Sequence, residues 1–323
     1  MTVTRGNETG GDETGVVRIG IAASAALRGG TASPLFALLR DFAPLLAAPV
    51  VRLHAVGATC DAILASGLLG ANPPTRLRPA REGGVITLTS MVVPDASGRA
   101  ALDFVIYLID PVDPIGVFPE MQALKRQCVV HGRPFLTNRG AASEWLALVW
   151  HSLAGIDRTG LAAQLAHWMR PEAVASETIG LIAHDTQKKV MLEFARRHHA
   201  LLSRFGRRLA TGTTGGLLNG EVPARMAAEA ASLRPVLPPP VPGWSTAFQS
   251  GPRGGDAQIA EEVLEGRCRR LIFFEDPHVA REHEADIQLL ERATRFAPQG
   301  CLCINDLANA EFWMTGFASL LAA

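Results

Sequence analysis

Neither sign of charge is in excess: Lys+Arg and Asp+Glu both number 31. The chain therefore lacks the bulk basic field that nucleic acid or an anionic membrane attracts. It has no apolar run of the roughly 18 to 20 residues that a membrane-spanning helix requires. Residues 1–15 are polar, glycine-rich and acidic, without the apolar segment of a signal peptide, and read as a disordered tail. No H-x-x-x-H or H-E-x-x-H occurs, and the five cysteines (Cys60, Cys128, Cys268, Cys301, Cys303) form no C-x-x-C pair. Zinc-type ligand spacing is thus missing, and no metal site is expected. Cys301 and Cys303 alternate within an apolar run and read as core thiols. A reducing, cytoplasmic setting fits such cysteine usage.

What the chain does have is length, apolar content and a repeat. At 323 residues, 48% of them hydrophobic, two domains can each bury a core. The halves echo each other in order. Val17–Ala23 matches Thr178–Ala183, and Val56-Gly-Ala-Thr59 matches Thr211-Gly-Thr-Thr214. Further on, Phe104–Pro111 matches Leu271–Pro277, Gln122-x-Leu124 matches Gln288-x-Leu290, and Asn138 with Glu144-Trp145 matches Asn305 with Glu311-Phe312. The offsets drift only between about 155 and 167, the pattern of a tandem duplication with small insertions. Ile179–Ala183, Leu271–Phe274 and Cys301–Ile304 read as strands buried on both faces, while Met191–Arg204 and Ala257–Leu264 have helical spacing. Alternating strand and helix predicts an α/β fold with a doubly wound parallel sheet in each half. The expected organisation is a tail over 1–15, a first domain over 16–150, a linker with a helix at Leu161–Trp168 over 151–177, and a second domain over 178–323. The proline-rich Pro235–Pro242 reads as a surface insertion that is neither helix nor central strand.

Five polar clusters in the second half each follow a strand candidate: His184-Asp185-x-x-Lys188, Thr211-Gly212-Thr213-Thr214-Gly, Ser250-Gly251-Pro-x-Gly-Gly-Asp256, Asp276-Pro277 and His283-x-x-Asp286. In an open parallel sheet, ligands bind beyond the carboxyl ends of the strands, so these clusters can converge on one crevice. The Thr211 turn offers backbone N–H groups and hydroxyls to a phosphate, or is simply a capped glycine turn. Lys188 is a cation for the same anion, or a solvated lysine. Asp256 is an N-cap, or a general base whose pKa burial or nearby carboxylates would have to raise. Each histidine, paired with an aspartate, is a proton donor to a carbonyl oxygen or a structural residue. His198-His199 reads as an exposed helix end.

The first half serves as an internal control. Ser24 stands where His184 stands, Ala58 for Thr213, Val117 for His283 and Glu120 for Asp286, and no counterpart to the Gly-Gly-Asp256 turn is found near Ser90-Met91. Core runs and Asp110-Pro111 persist while ionisable groups disappear. That one-sided loss points to function in the second half and scaffolding in the first.

These residues resemble methylglyoxal synthase. The resemblance covers about 135 residues, Ile179 to Met314, through IAHD with Lys188, ATGTTG, SGPxGGD, LIFFxDP, HExD and a late AEF. It implies a three-layer αβα domain that converts dihydroxyacetone phosphate to methylglyoxal and inorganic phosphate with no metal or organic cofactor. It implies Asp256 as the base that removes a carbon-bound proton and His283, supported by Asp286, at the substrate's carbonyl oxygen. Asp185, Asp276 and His184 complete the pocket, and Lys188, Thr211, Gly212, Thr213, Thr214, Ser250 and Gly251 bind phosphate, which is also expected to inhibit as a product. The family is usually single-domain and often hexameric, with a tail beyond the AEF helix, whereas this sequence stops at Ala323. A homo-oligomer of about three chains is expected if the first copy replaces half of the subunits. Two other readings remain: a non-catalytic sensor of a phosphorylated metabolite, as the same fold serves in carbamoyl phosphate synthetase, and a structural subunit.

Overall fold

The computed structural model describes residues 15–70, 72–113, 119–222, 224–236, 238–239, 241–278 and 284–322. The chain divides into two compact units, Met1–Trp168 and Met169–Ala323. Each holds one five-stranded sheet flanked by helices. The first sheet comprises β1 (Val17–Ala23), β2 (Val51–Val56), β3 (Thr75–Leu77), β4 (Phe104–Leu108) and β5 (Phe135–Leu136), in the order β3-β2-β1-β4-β5. The second comprises β6 (Thr178–Ala183), β7 (Arg207–Ala210), β8 (Thr246–Ala247), β9 (Arg270–Phe274) and β10 (Leu302–Ile304), in the order β10-β9-β6-β7-β8. Every pairing is parallel. Read from the other edge, the second order repeats the first strand for strand.

In the second unit, burial explains the sheet. Every residue of β6 and β9 is buried, and beyond Thr178 and Arg270 at their starts both strands are apolar runs between two helical layers. On one face Ile182, Leu271 and Phe273 pack with Ile259 and Val263 of the Gly255–Leu264 helix and Ile287 and Leu290 of the Glu284–Phe296 helix. On the other, Phe274 meets Phe194 of the Lys188–Arg197 helix edge to face at 5.5 Å. Cys301 belongs to the first of these clusters and Cys303 packs against it. Burial pushes the Cys268 thiol up to about 12, so it stays protonated as a core group. Among the described residues, no helix is long and apolar enough to cross a membrane.

Several expectations need correcting. β9 begins one residue early, at Arg270, which is buried. Its guanidinium is neutralised by Glu177, donates to the Met169 carbonyl at 3.1 Å and lies 5.7 Å from the Trp313 ring. The helix expected over Met191–Arg204 is two, Lys188–Arg197 and His199–Leu202, broken at His198. Nor do the two histidines form an exposed end. His198 Nε2 lies 2.6 Å from Glu311 Oε2, and His199 stacks on Trp244 at 4.9 Å. Burial, then the charge of Arg208, holds the His199 pKa below its ordinary value. Leu161–Trp168 is one α-turn, Leu161–Gln164, running into a wider turn at Leu165–Met169.

The proline-rich insertion is not all surface. Its flank forms short helices at Ala224–Glu229 and Ala230–Leu233, and Pro235 sits in a single turn, Arg234–Val236. Leu233 and Val236 are buried. Asn219 and Ser245 close the base of the insertion through Asn219 Nδ2 to the Ser245 carbonyl at 3.1 Å and the Ser245 N–H to Asn219 Oδ1 at 2.8 Å.

Candidate active site

The polar clusters around His184, Thr211, Asp256 and Asp276 lie where β6, β7, β8 and β9 end, on one edge of the sheet because all four strands run the same way. Two groups form there.

The first group joins the loops after β6 and β9. The buried His184 donates its backbone N–H to the Phe274 carbonyl at 3.1 Å, and its Nδ1 accepts from the Asp276 N–H at 2.9 Å. A neutral ring in that bond carries its proton on Nε2. The His184 ring and that of Phe273 meet edge to face, with centroids 5.1 Å apart. Asp185 is exposed and pairs with the buried Lys188, which opens the Lys188–Arg197 helix. Asp276 is half-buried. Its Oδ1 accepts from the His278 N–H at 2.9 Å and its Oδ2 from the Thr186 hydroxyl at 2.7 Å.

The second group joins the hydroxyl turn to the Asp256 turn. Thr211 is the N-cap of the Gly212–Leu218 helix, yet its hydroxyl makes no capping bond. Thr211, Thr213 and Thr214 are all buried, with Thr211 Oγ1 and Thr214 Oγ1 3.5 Å apart. Ser250 and Gly251 are half-buried and begin a short turn, Gly251–Arg253. Gly254, at φ 90°, then caps the Gly255–Leu264 helix. Asp256 is therefore not the N-cap but the second residue of a helix that begins two residues earlier than expected. It is only 2% exposed.

Sterics bring these two turns together. The Gly212 N–H donates to the Gln249 carbonyl at 2.9 Å, and the Gly255 N–H donates to the Ser250 carbonyl at 3.1 Å. A Cβ on Gly212 would lie 2.9 Å from the Phe248 carbonyl oxygen, and one on Gly255 would lie 1.9 Å from that of Gln249. Both glycines thus press on the strand-end segment Phe248–Ser250, so the threonine hydroxyls, Ser250 and Asp256 share one neighbourhood. Gln258 also holds that segment, its Oε1 accepting from the Gln249 N–H at 2.9 Å. Gly255→Ala is expected to cost about 1–3 kcal/mol, as overpacking against backbone does. Thermal melting of the variant against the parent checks this.

Asp286, half-buried, lies in the first turn of the Glu284–Phe296 helix, which packs on the Gly255–Leu264 helix. His283 and its counterpart Val117 lie outside the described residues. Among the described residues, no group of three or more His, Cys, Asp or Glu is arranged to hold a metal ion.

The first unit has the same turns with different side chains. The Gly57 N–H reaches the Arg78 carbonyl at 3.3 Å, and the Gly84 N–H reaches that of Pro79 at 3.0 Å. Gly83, at φ 87°, caps the Gly84–Val92 helix, and a Cβ on Gly84 would lie 2.1 Å from the Arg78 carbonyl oxygen. The expected absence of a Gly-Gly counterpart is thus overturned: the counterpart lies at Gly83-Gly84, with Val85 in the place of Asp256. Pro79 stands for Ser250 and Val56 for Thr211. Arg28 stands for Lys188, donating to the Ala23 carbonyl at 2.6 Å. Sequence reasoning missed this turn because its flanks share few letters with Ser250–Gly251. A glycine pair before an apolar helix was the available signal. Thr186 and Gln258 carried no pattern that marked them.

No family model matches the chain. Curated relatives do. The methylglyoxal synthase of Cupriavidus taiwanensis is 38% identical over 140 residues, which are 43% of this chain and 89% of the relative. That of Ralstonia nicotianae is 40% identical over 136 residues, 42% of this chain and 84% of the relative. A solved methylglyoxal synthase from Elizabethkingia anophelis NUHP1 is 25% identical, covering 44% of this chain and 78% of that one, with a TM-score of 0.30. Nearly the whole of a relative is thus matched by a stretch no longer than one of the two units. On that match, the chain belongs to the methylglyoxal synthase family.

Proposed function

We propose that the second unit is a lyase that converts dihydroxyacetone phosphate to methylglyoxal and inorganic phosphate, and that the first unit is a duplicated copy without turnover. The observation that carries this is the buried Asp256, 2% exposed, held by Gly255 against the segment that also holds the threonine turn. A carboxylate and a set of hydroxyls are thereby gathered, and the Thr211 hydroxyl is not spent on capping its helix.

In this reading Asp256 takes a proton from the hydroxymethyl carbon, and the electrons of the C–H bond form an enediolate. Lys188, the threonines, Ser250 and the Gly251 turn hold the phosphate with its bridging C–O bond perpendicular to the enediolate plane. That bond overlaps the π system there and breaks, and its electrons leave with the phosphate. As phosphate leaves, the hydroxyl on the deprotonated carbon gives up its proton and becomes the aldehyde, and the resulting enolate takes a proton at its methylene carbon to become methylglyoxal. Preorganised donors facing the departing charge are worth about 3 kcal/mol each. His283 and Asp286 serve the carbonyl oxygen. Free phosphate competes for the cradle it has just left.

The test is to follow methylglyoxal and phosphate together from dihydroxyacetone phosphate, with a chelator present. Release in a one-to-one ratio is expected. Saturable binding of the triose with no methylglyoxal would overturn the lyase reading in favour of a phosphometabolite sensor.

A further inference from the structure

Thr186 belongs to none of the motifs. It is exposed, lies inside the Asp185–Gln187 turn whose N-cap is His184, and spends its hydroxyl on Asp276 Oδ2 at 2.7 Å. The His278 N–H occupies the other carboxylate oxygen at 2.9 Å, and His184 Nδ1 takes the Asp276 N–H at 2.9 Å. The loop after β6 therefore grips Asp276 twice, once by the backbone and once by the carboxylate. Resting on the lyase reading above, we propose that Thr186 is a positioning residue for that reaction, holding the Asp276 carboxylate in one orientation at the rim of the crevice.

The first unit shows what this hydroxyl is not for. Its Leu27 N–H donates to the Ser24 carbonyl at 3.0 Å, as the Gln187 N–H donates to the His184 carbonyl at 2.9 Å. That register places Ser24 at His184 and Ala26 at Thr186. Ser24 Oγ still accepts from the Asp110 N–H at 3.1 Å, and Asp110 Oδ1 still accepts from the Val112 N–H at 3.0 Å. The backbone anchor and the aspartate turn thus form without a threonine. What the first unit lacks is the hydroxyl on the carboxylate, and it also lacks the base, having Val85 for Asp256. The grip occurs where the acid–base set is complete and is missing where that set is broken.

An exposed hydrogen bond of this kind adds little to stability. Its value lies in orientation, because a reacting centre misplaced by about 1 Å can cost about a hundredfold in rate. The Thr186 hydroxyl on Oδ2, together with the His278 N–H on Oδ1, sets which way the carboxylate faces.

The test is Thr186→Val, which removes the hydroxyl and keeps the shape, beside Thr186→Ser, which keeps the hydroxyl. With the full chain and dihydroxyacetone phosphate, the valine variant is expected to lose roughly tenfold in kcat, with KM within about twofold and an unchanged melting temperature. The serine variant is expected to recover most of the rate. An active parent with a valine variant of equal kcat overturns the positioning role alone. So does a serine variant as impaired as valine, or a loss of rate matched by a fall in melting temperature. A parent that makes no methylglyoxal overturns the lyase reading, and this proposal with it.

Discussion

Asp256→Asn is expected to lower kcat/KM for dihydroxyacetone phosphate by about a thousandfold and to leave the fold intact. General-base catalysis contributes about 10²- to 10⁴-fold, and an amide of the same shape removes the base without opening a cavity. The residue is buried in the first turn of the Gly255–Leu264 helix, so the substitution also removes a negative charge near a helix N-terminus. That loss is worth about 0.3–1 kcal/mol. It is set against relief from burying a charge, so the melting temperature should move by only a few degrees. Phosphate binding should survive, because the hydroxyls and Lys188 are untouched. Rates equal to the parent's would move the base elsewhere and remove the chemical role of the glycine-held turn.

Glu177→Ala is expected to cost about 3–5 kcal/mol of stability with little change in kcat at temperatures well below melting. Glu177 precedes β6 and neutralises Arg270 at the start of β9, the end of the sheet away from the candidate site. Both residues are buried, and the guanidinium lies 5.7 Å from the Trp313 ring and 5.8 Å from the Phe317 ring. Removing the carboxylate takes that counter-charge from a buried cation beside two aromatic rings. Replacing both partners, as in Glu177→Leu with Arg270→Met, removes the stranded charge and should return much of the loss. Denaturant titration of the single and double variants measures both. A double variant no better than Glu177→Ala would mean that packing, not charge, is lost.

Arg270 also shows why strand ends were harder to read than strands. Continuous apolar runs such as Ile179–Ala183 announce burial on two sides, and β6 and β9 are buried throughout. A charged first residue breaks that pattern, and partners distant in sequence, Glu177 and the Met169 carbonyl among them, make it tolerable inside. Helix starts failed for a related reason. Gly254-Gly255 reads as a turn, but Gly254 at φ 90° is a cap and Gly255 is already helical. The candidate site was legible where its residues fall in motifs, as for Asp256, Lys188 and the threonines, all of which are buried. It was opaque where one side chain orients another, as Thr186 and Gln258 do, because such contacts join segments far apart in sequence and impose no local period.

The glycine pairs at Gly83-Gly84 and Gly254-Gly255 have an evolutionary consequence. A Cβ at the second glycine of either pair would collide with backbone, 2.1 Å from one carbonyl oxygen and 1.9 Å from the other. Folding alone therefore requires a glycine there, whatever becomes of turnover. Drift can erase a carboxylate in one step, while the loop that presented it persists. The path back is correspondingly short, since a lineage that has lost the reaction keeps the backbone on which a single codon change could reinstate an acid.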